Sequence, residues 1–158
     1  MKRAIELNVN GDAYEVLVSP NYTLLEVLRE KLGLMGTKRG CDLGACGSCT
    51  VLINGEAYLS CLMLAMDAVG KEILTIEGLG EGGDLHPLQK SFAEKGALQC
   101  GFCTPGMILT AKAILDEEDK PTEEMLKQKM AGNLCRCTGY KKIVEAVMSV
   151  EAQTKKEA

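Results

Sequence analysis

The stretch Gly40-Cys41-Asp42-Leu43-Gly44-Ala45-Cys46-Gly47-Ser48-Cys49-Thr50 decides how the chain is read. Three cysteines stand there at x4 and x2 spacing, interleaved with three glycines. A loop this short brings three thiols to one centre only by curling around it. Curling needs positive φ and close backbone approach, which glycine supplies at little steric cost. A buried anionic centre also needs donors, so the loop amides should turn toward the sulfurs. The spacing Cys41-x4-Cys46-x2-Cys49 is one that holds an iron–sulfur core. The fourth ligand must come from elsewhere, and Cys61, beyond the next apolar run, is the candidate.

A second set repeats the logic downstream. Cys100-x2-Cys103 lies in Gln-Cys-Gly-Phe-Cys-Thr-Pro-Gly, and Cys135-x-Cys137 in Gly-Asn-Leu-Cys-Arg-Cys-Thr-Gly-Tyr. Two sets of four use all eight cysteines of the 158-residue chain and leave no strays. The first spacing is that of the plant-type [2Fe–2S] ferredoxins, so two [2Fe–2S] clusters are expected. The start of the chain is charged and alternating, unlike a signal peptide. Cysteines without a secretory signal point to cluster ligation in a reducing, cytoplasmic setting rather than to disulfides. A net charge of -4 argues against a nucleic-acid partner. No apolar run is long enough to span a membrane.

The flanking sequence predicts an α+β chain. Ile5, Leu7 and Val9 alternate before Asn10-Gly11, and Tyr14, Val16 and Val18 resume the alternation, which predicts a hairpin over 3–18. Thr23 and Glu26 form a capping box for a helix with a stripe of Leu24, Leu25, Leu28 and Leu32, ended by Gly33. Strands over 50–53 and 57–60 flank Asn54-Gly55; a short helix over 62–69 and a strand over 72–76 follow. Hairpin, helix, loop, hairpin, strand is the order of a β-grasp, expected over 1–77. Gly78-Leu-Gly80-Glu-Gly82-Gly83 matches a dinucleotide fingerprint, but no repeat of strands and helices follows. A linker over 78–87 is expected instead, with His86 as a surface residue.

Four helices should follow in a bundle over 78–158. The first starts at Pro87, with Leu88 and Phe92 inside. The second is capped by Thr104 with Pro105 at its first position, the third is capped by Thr122, and the fourth runs from Tyr140 to Gln153. A polar tail closes the chain over 151–158. Met107, Met125, Met130 and Met148 read as core filler. The two cysteine pairs fall at helix junctions, so they can meet at one end of the bundle. Lys38, Arg39 and Arg136 adjoin cysteines, as solvated charges or as offsets to cluster charge. Each half is small for a self-sufficient core, so ligation energy would also be folding energy.

Three stretches carry a resemblance: residues 36–51, 99–107 and 132–140. In this order they are similar to the iron–sulfur subunits of the xanthine dehydrogenase family of molybdenum hydroxylases. The likeness covers roughly 3–150. It implies one [2Fe–2S] cluster on Cys41, Cys46, Cys49 and Cys61 of an N-terminal β-grasp, plant-type ferredoxin-like domain. It implies a second on Cys100, Cys103, Cys135 and Cys137 of a C-terminal four-helix-bundle domain. It implies that Gln99 and Cys137 approach a molybdopterin on a large partner subunit. Electrons would pass from there through the helical-domain cluster and then the β-grasp cluster to an FAD on a medium subunit, in a dimer of heterotrimers. One departure is Ser48, where many members have Ala; it leaves the hydrogen bonding at that cluster open.

The function expected is therefore one-electron relay within a larger oxidoreductase, with no catalytic residue on this chain. Two alternatives stand beside it: a free two-cluster ferredoxin, and a zinc-stapled interaction module. A dithiol redox pair at Cys100 and Cys103 lacks the expected βαβ surroundings. A Rieske centre is excluded, because the chain has one histidine.

Overall fold

Both Asn-Gly pairs turn as their sequence predicts. In the computed structural model, which describes residues 1–80, 82–118 and 121–154, Asn10 and Gly11 take φ of 56° and 86°, and Asn54 and Gly55 take 51° and 88°. Two successive positive φ values make a type I′ turn, whose twist suits a hairpin. The first turn joins β1 (Arg3–Val9) to β2 (Asp12–Val18), in register from Val9↔Asp12 to Arg3↔Val18. The second joins β3 (Thr50–Ile53) to β4 (Glu56–Leu59). β5 (Glu72–Leu74) fills the gap between the hairpins, parallel to β1 and antiparallel to β3. The sheet order is β2-β1-β5-β3-β4.

The strand expected over 72–76 stops at Leu74. Asn10 Oδ1 accepts the Thr75 amide at 2.8 Å, which turns the chain out of the ladder. Ile76–Gly78 is then a 3-10 turn. The helix expected after Thr23 forms with its capping box intact: the Thr23 amide donates to Glu26 Oε2 at 2.7 Å, and the Glu26 amide to Thr23 Oγ1 at 3.2 Å. Only α1 (Leu24–Glu26) is α-helical, however. Val27–Lys31 widens into a π turn, and Gly33 follows at φ 71°. The reason is the breadth of the apolar face. Leu24, Val27 and Leu28 fill the core under the sheet, while Leu25 reaches a separate cluster with Cys49 and Cys61. The helix expected over 62–69 shrinks to a 3-10 turn at Ala65–Ala68.

The helical part comprises α2 (Pro87–Glu94), α3 (Thr104–Glu117), α4 (Glu123–Lys129) and α5 (Lys141–Thr154). His86 does more than sit at the surface. Its Nδ1 accepts the Leu88 amide at 3.2 Å, so it caps α2. Thr104 is not the cap of α3; Cys103, already helical in φ and ψ, takes that place, with its carbonyl accepting the Met107 amide at 3.0 Å. α5 starts at Lys141 rather than Tyr140, because Tyr140 has φ 68°. Residue 81 of the expected linker and 155–158 of the expected tail lie outside the described residues. Among the described residues, no helix is long and apolar enough to cross a membrane.

β3 is the seam of the molecule. All four of its residues are buried. Val51 and Ile53 enter the core under the sheet, while Leu52 enters the core of the helices beside Leu88, Phe92 and Met107. The period-2 pleat of a strand puts these neighbours on opposite faces. The helical part is therefore packed on the far face of the sheet, with Leu52 as a shared side chain. Leu52→Ala should cost about 2–5 kcal/mol in equilibrium urea unfolding, as buried Leu→Ala changes do. A loss below about 1 kcal/mol would mean that the two parts do not depend on this contact.

Candidate metal centres

The 40–50 loop curls as its glycines predict. Gly44 and Gly47 have φ of 74° and 71°, and Asp42 joins them at 58°. Gly40 is required for space: a Cβ there would lie 2.7 Å from Cys46 Sγ and 2.6 Å from Ser48 Oγ. The curl turns amides onto sulfur, since the Leu43 and Ala45 N–H groups donate to Cys41 Sγ at 3.4 and 3.3 Å. These two bonds pull the Cys41 thiol down from 9.0 to about 7. Cys41 is also within hydrogen-bonding reach of Cys46. Cys61 follows β4 and sits within reach of Cys49, both buried. Burial first, and then the Cys49 and Cys41 sulfurs, push the Cys61 thiol up to about 11. The four thiols of the first set thus meet as two pairs, Cys41 with Cys46 and Cys49 with Cys61.

The second set meets in the same way. Cys103, at the head of α3, is within reach of Cys135, and burial, ahead of that neighbour, raises it to about 12. Burial alone would also raise Cys135. The Thr138 hydroxyl, at 3.2 Å from its sulfur, and the Thr138 and Cys137 amides outweigh burial and leave it at about 7. Cys137 Sγ lies 3.6 Å from Cys100 Sγ, and that hydrogen bond raises it. Gln99, exposed beside them, donates from Nε2 to the Cys137 carbonyl at 3.1 Å.

The pairing suits a two-iron centre, in which each iron takes two thiolates; a structural zinc would gather four on one ion. Among the described residues, no three or more His, Cys, Asp or Glu side chains are grouped to hold one metal ion. Amides and hydroxyls aimed at sulfur are the donors that a sulfur-rich anionic centre needs. Ligation must expel the protons held by Cys61 and Cys103, so assembly is favoured by rising pH.

Residues that the cysteine pattern does not reveal join the two sets. The Leu134 amide donates to the Cys46 carbonyl at 2.8 Å, and Leu134 precedes Cys135. Asn133, buried, donates from Nδ2 to the Gly47 carbonyl at 3.0 Å and to Thr50 Oγ1 at 3.4 Å. A Cβ on Gly47 would lie 2.7 Å from that Nδ2. One hydrogen bond and one peptide link therefore separate a cysteine of one set from a cysteine of the other. Tyr140 closes the second loop: its Oη accepts the Cys135 amide at 2.8 Å. Of the cations beside cysteines, Arg39 pairs with Glu30 at 3.0 Å and reaches Asp42 at 4.0 Å.

Comparison with known proteins places both halves of the chain among iron–sulfur domains. A family model described as "2Fe-2S iron-sulfur cluster binding domain" matches residues 7–74, and one described as "[2Fe-2S] binding domain" matches residues 75–148. The nicotinate dehydrogenase small FeS subunit of Eubacterium barkeri is 53% identical over 146 residues, covering 92% of this chain and 93% of that one. The xanthine dehydrogenase iron-sulfur-binding subunit of Escherichia coli O157:H7 is 48% identical over 149 residues, with 93% of each covered. Among solved structures, quinoline 2-oxidoreductase from Pseudomonas putida 86 contains a chain that superposes with a TM-score of 0.94 at 46% identity. The match covers 99% of this chain and 98% of that one.

In the folded, metal-free chain at pH 7, alkylation should reach Cys41 and Cys135 first, because a thiol near 7 is about half thiolate there. Cys61 and Cys103 should react last, and raising the pH toward 11 should narrow the gap. Mass spectrometry of partially labelled protein reads the order; equal labelling of all eight would show that the loops are not held without iron. Asn133→Ala removes one of three donors to the buried Gly47 carbonyl, which keeps the Thr50 amide and hydroxyl, and should cost about 0.5–1.5 kcal/mol in thermal unfolding of the iron-loaded chain.

Proposed function

This chain belongs to the iron–sulfur subunits of the xanthine dehydrogenase family of molybdenum hydroxylases, and from that premise we propose how its residues serve an electron relay. As an electron-transfer subunit of an oxidoreductase it carries two [2Fe–2S] centres, each of which takes up one electron at a time when bound. Cys41, Cys46, Cys49 and Cys61 hold the first. Cys100, Cys103, Cys135 and Cys137 hold the second. The observation that carries this assignment is the meeting of eight thiols in four pairs, two pairs to a set.

The division of labour follows from exposure. Cys100, Cys137 and Gln99 are exposed together at one end, with half-open Phe102 and Leu134 beside them. We assign that end to the pterin of a molybdopterin held by a large partner subunit. At the other set Leu43, 79% exposed, lies two residues from the half-buried Cys41, and Leu62, 64% exposed, follows Cys61 and lies over Gly44. Exposed apolar side chains gathered at a cysteine loop suit a surface that a partner covers. We assign this end to a medium subunit carrying FAD, in a dimer of heterotrimers in the cytoplasm. The joint from Cys46 through Leu134 to Cys135 fixes the two ligand sets relative to each other. We further read residues 1–77 as a β-grasp domain and 78–158 as a helical domain, supported by the strand order and the four helices.

Purification from the native source tests the reading. The chain should co-purify with a molybdenum-containing subunit and a flavoprotein. With two clusters it should carry about four irons and four acid-labile sulfides, and show two distinct paramagnetic signals on reduction. A colourless, zinc-bearing chain, or an active carrier found alone, would overturn it.

A further inference from the structure

Resting on the cluster assignment above, we propose that the Ser48 and Thr138 hydroxyls are paired redox-positioning groups, each donating to the one ligand sulfur of its set that adjoins the joint. Ser48 Oγ lies 3.1 Å from Cys46 Sγ, and Thr138 Oγ1 lies 3.2 Å from Cys135 Sγ. Cys46 and Cys135 are also the two cysteines tied through the Leu134 amide. No sequence relation between Cys-x-Ser and Cys-x2-Thr demands this coincidence; the fold produces it.

The direction of each bond follows from the neighbours. A thiolate bound to iron has no proton, so the hydroxyl is the donor in both contacts. Ser48 has one competing acceptor, the Lys38 carbonyl, at 3.5 Å, farther than the sulfur. Ser48 is buried, so water does not draw its proton away. Thr138 Oγ1 accepts the Tyr140 amide at 3.2 Å, which leaves its own proton for Cys135 Sγ. Tyr140 is held for that purpose in the left-handed region, at φ 68°, where a tyrosine is strained. Its ring hydroxyl anchors the arrangement by accepting the Cys135 amide. Strain kept at a residue that orients a donor marks a position where the donor matters.

The physical effect has one sign. Reduction adds negative charge to the sulfurs, and a hydrogen bond to a ligand sulfur favours the more negative state. Each hydroxyl therefore raises the reduction potential of its own centre. The two shifts have the same sign, so the step in potential between the centres changes only by their difference, and removing one donor alone moves the equilibrium share of the electron toward the other centre.

The test is an EPR-monitored redox titration of the intact complex, in which the two centres are read separately. Ser48→Ala should lower the midpoint of the centre held by Cys46 and leave the other in place. Thr138→Val should lower the midpoint of the centre held by Cys135 alone, and Thr138→Ser should restore it. Tyr140→Phe separates donation from loop shape: the Tyr140 amide still orients Thr138, so the midpoint should move less than in Thr138→Val. Midpoints that stay put in both hydroxyl deletions, or that shift at both centres together, would overturn the proposal. Absence of either signal in the unmodified complex would instead overturn the cluster assignment, so the two failures are distinct.

Discussion

Sulfur ligands to iron must be brought together as anions, and like charges do not gather unaided. This single constraint organises the molecule. Burial, and after it a neighbouring sulfur, keeps thiols protonated, pushing Cys61 up to about 11 and Cys103 to about 12. The fold opposes that tendency at one member of each set. Two amides reach Cys41, and a hydroxyl with two amides reaches Cys135, so each set contains one thiol that ionises near neutral pH. An incoming metal thus meets a ready thiolate in each set, and the remaining protons leave as charge is neutralised.

Holding those donors in place dictates much of the backbone. Amides point at Cys41 only because the loop bends through positive φ at Asp42 and Gly44. A side chain at Gly40 would enter the space of Cys46, and one at Gly47 would displace Asn133. The second loop reaches the same end through Gly139, at φ 65°, and a strained Tyr140, with Thr138 as its hydroxyl donor. Behind both loops lies the seam at β3. It starts one residue after Cys49 and leads through the Asn54-Gly55 turn and β4 to Cys61, while its Leu52 anchors the helices that present the other four cysteines. Sheet, helices and both ligand sets are therefore one mechanical unit.

The parts of this design that depend on neighbours in sequence were legible beforehand. Asn10-Gly11, Asn54-Gly55 and the Thr23 to Glu26 capping box each rest on contacts spanning a few residues; the cysteines were legible as motifs by their spacing, although Cys100 meets Cys137 across 37 residues. The π turn at Val27–Lys31 was not legible, because it reflects two packing layers acting on one apolar face. The early end of β5 was hidden for a similar reason: Asn10, 65 residues away, captures the Thr75 amide. Asn133, which binds Gly47 across 86 residues, left no local signal beyond being a polar residue beside a glycine in a cysteine motif. Ser48 stood out as a departure, but only the folded loop gave it a partner.

Relay between two centres works best when nothing has to move between hops. Flexible linkers would let the separation of the sets vary, and with it the coupling between them. Here the two ligand loops touch directly, through Leu134 to Cys46 and Asn133 to Gly47, with Gly106 packed onto the same Gly47 carbonyl. A Cβ at Gly106 would strike that carbonyl. Contacts this close leave no room for the sets to slide past each other. The glycines around the first loop therefore serve two demands at once: they aim amides at sulfur, and they let the second loop approach until a single hydrogen bond spans the interval. A chain that met only the first demand would bind iron. Meeting both makes the two sites a conductor.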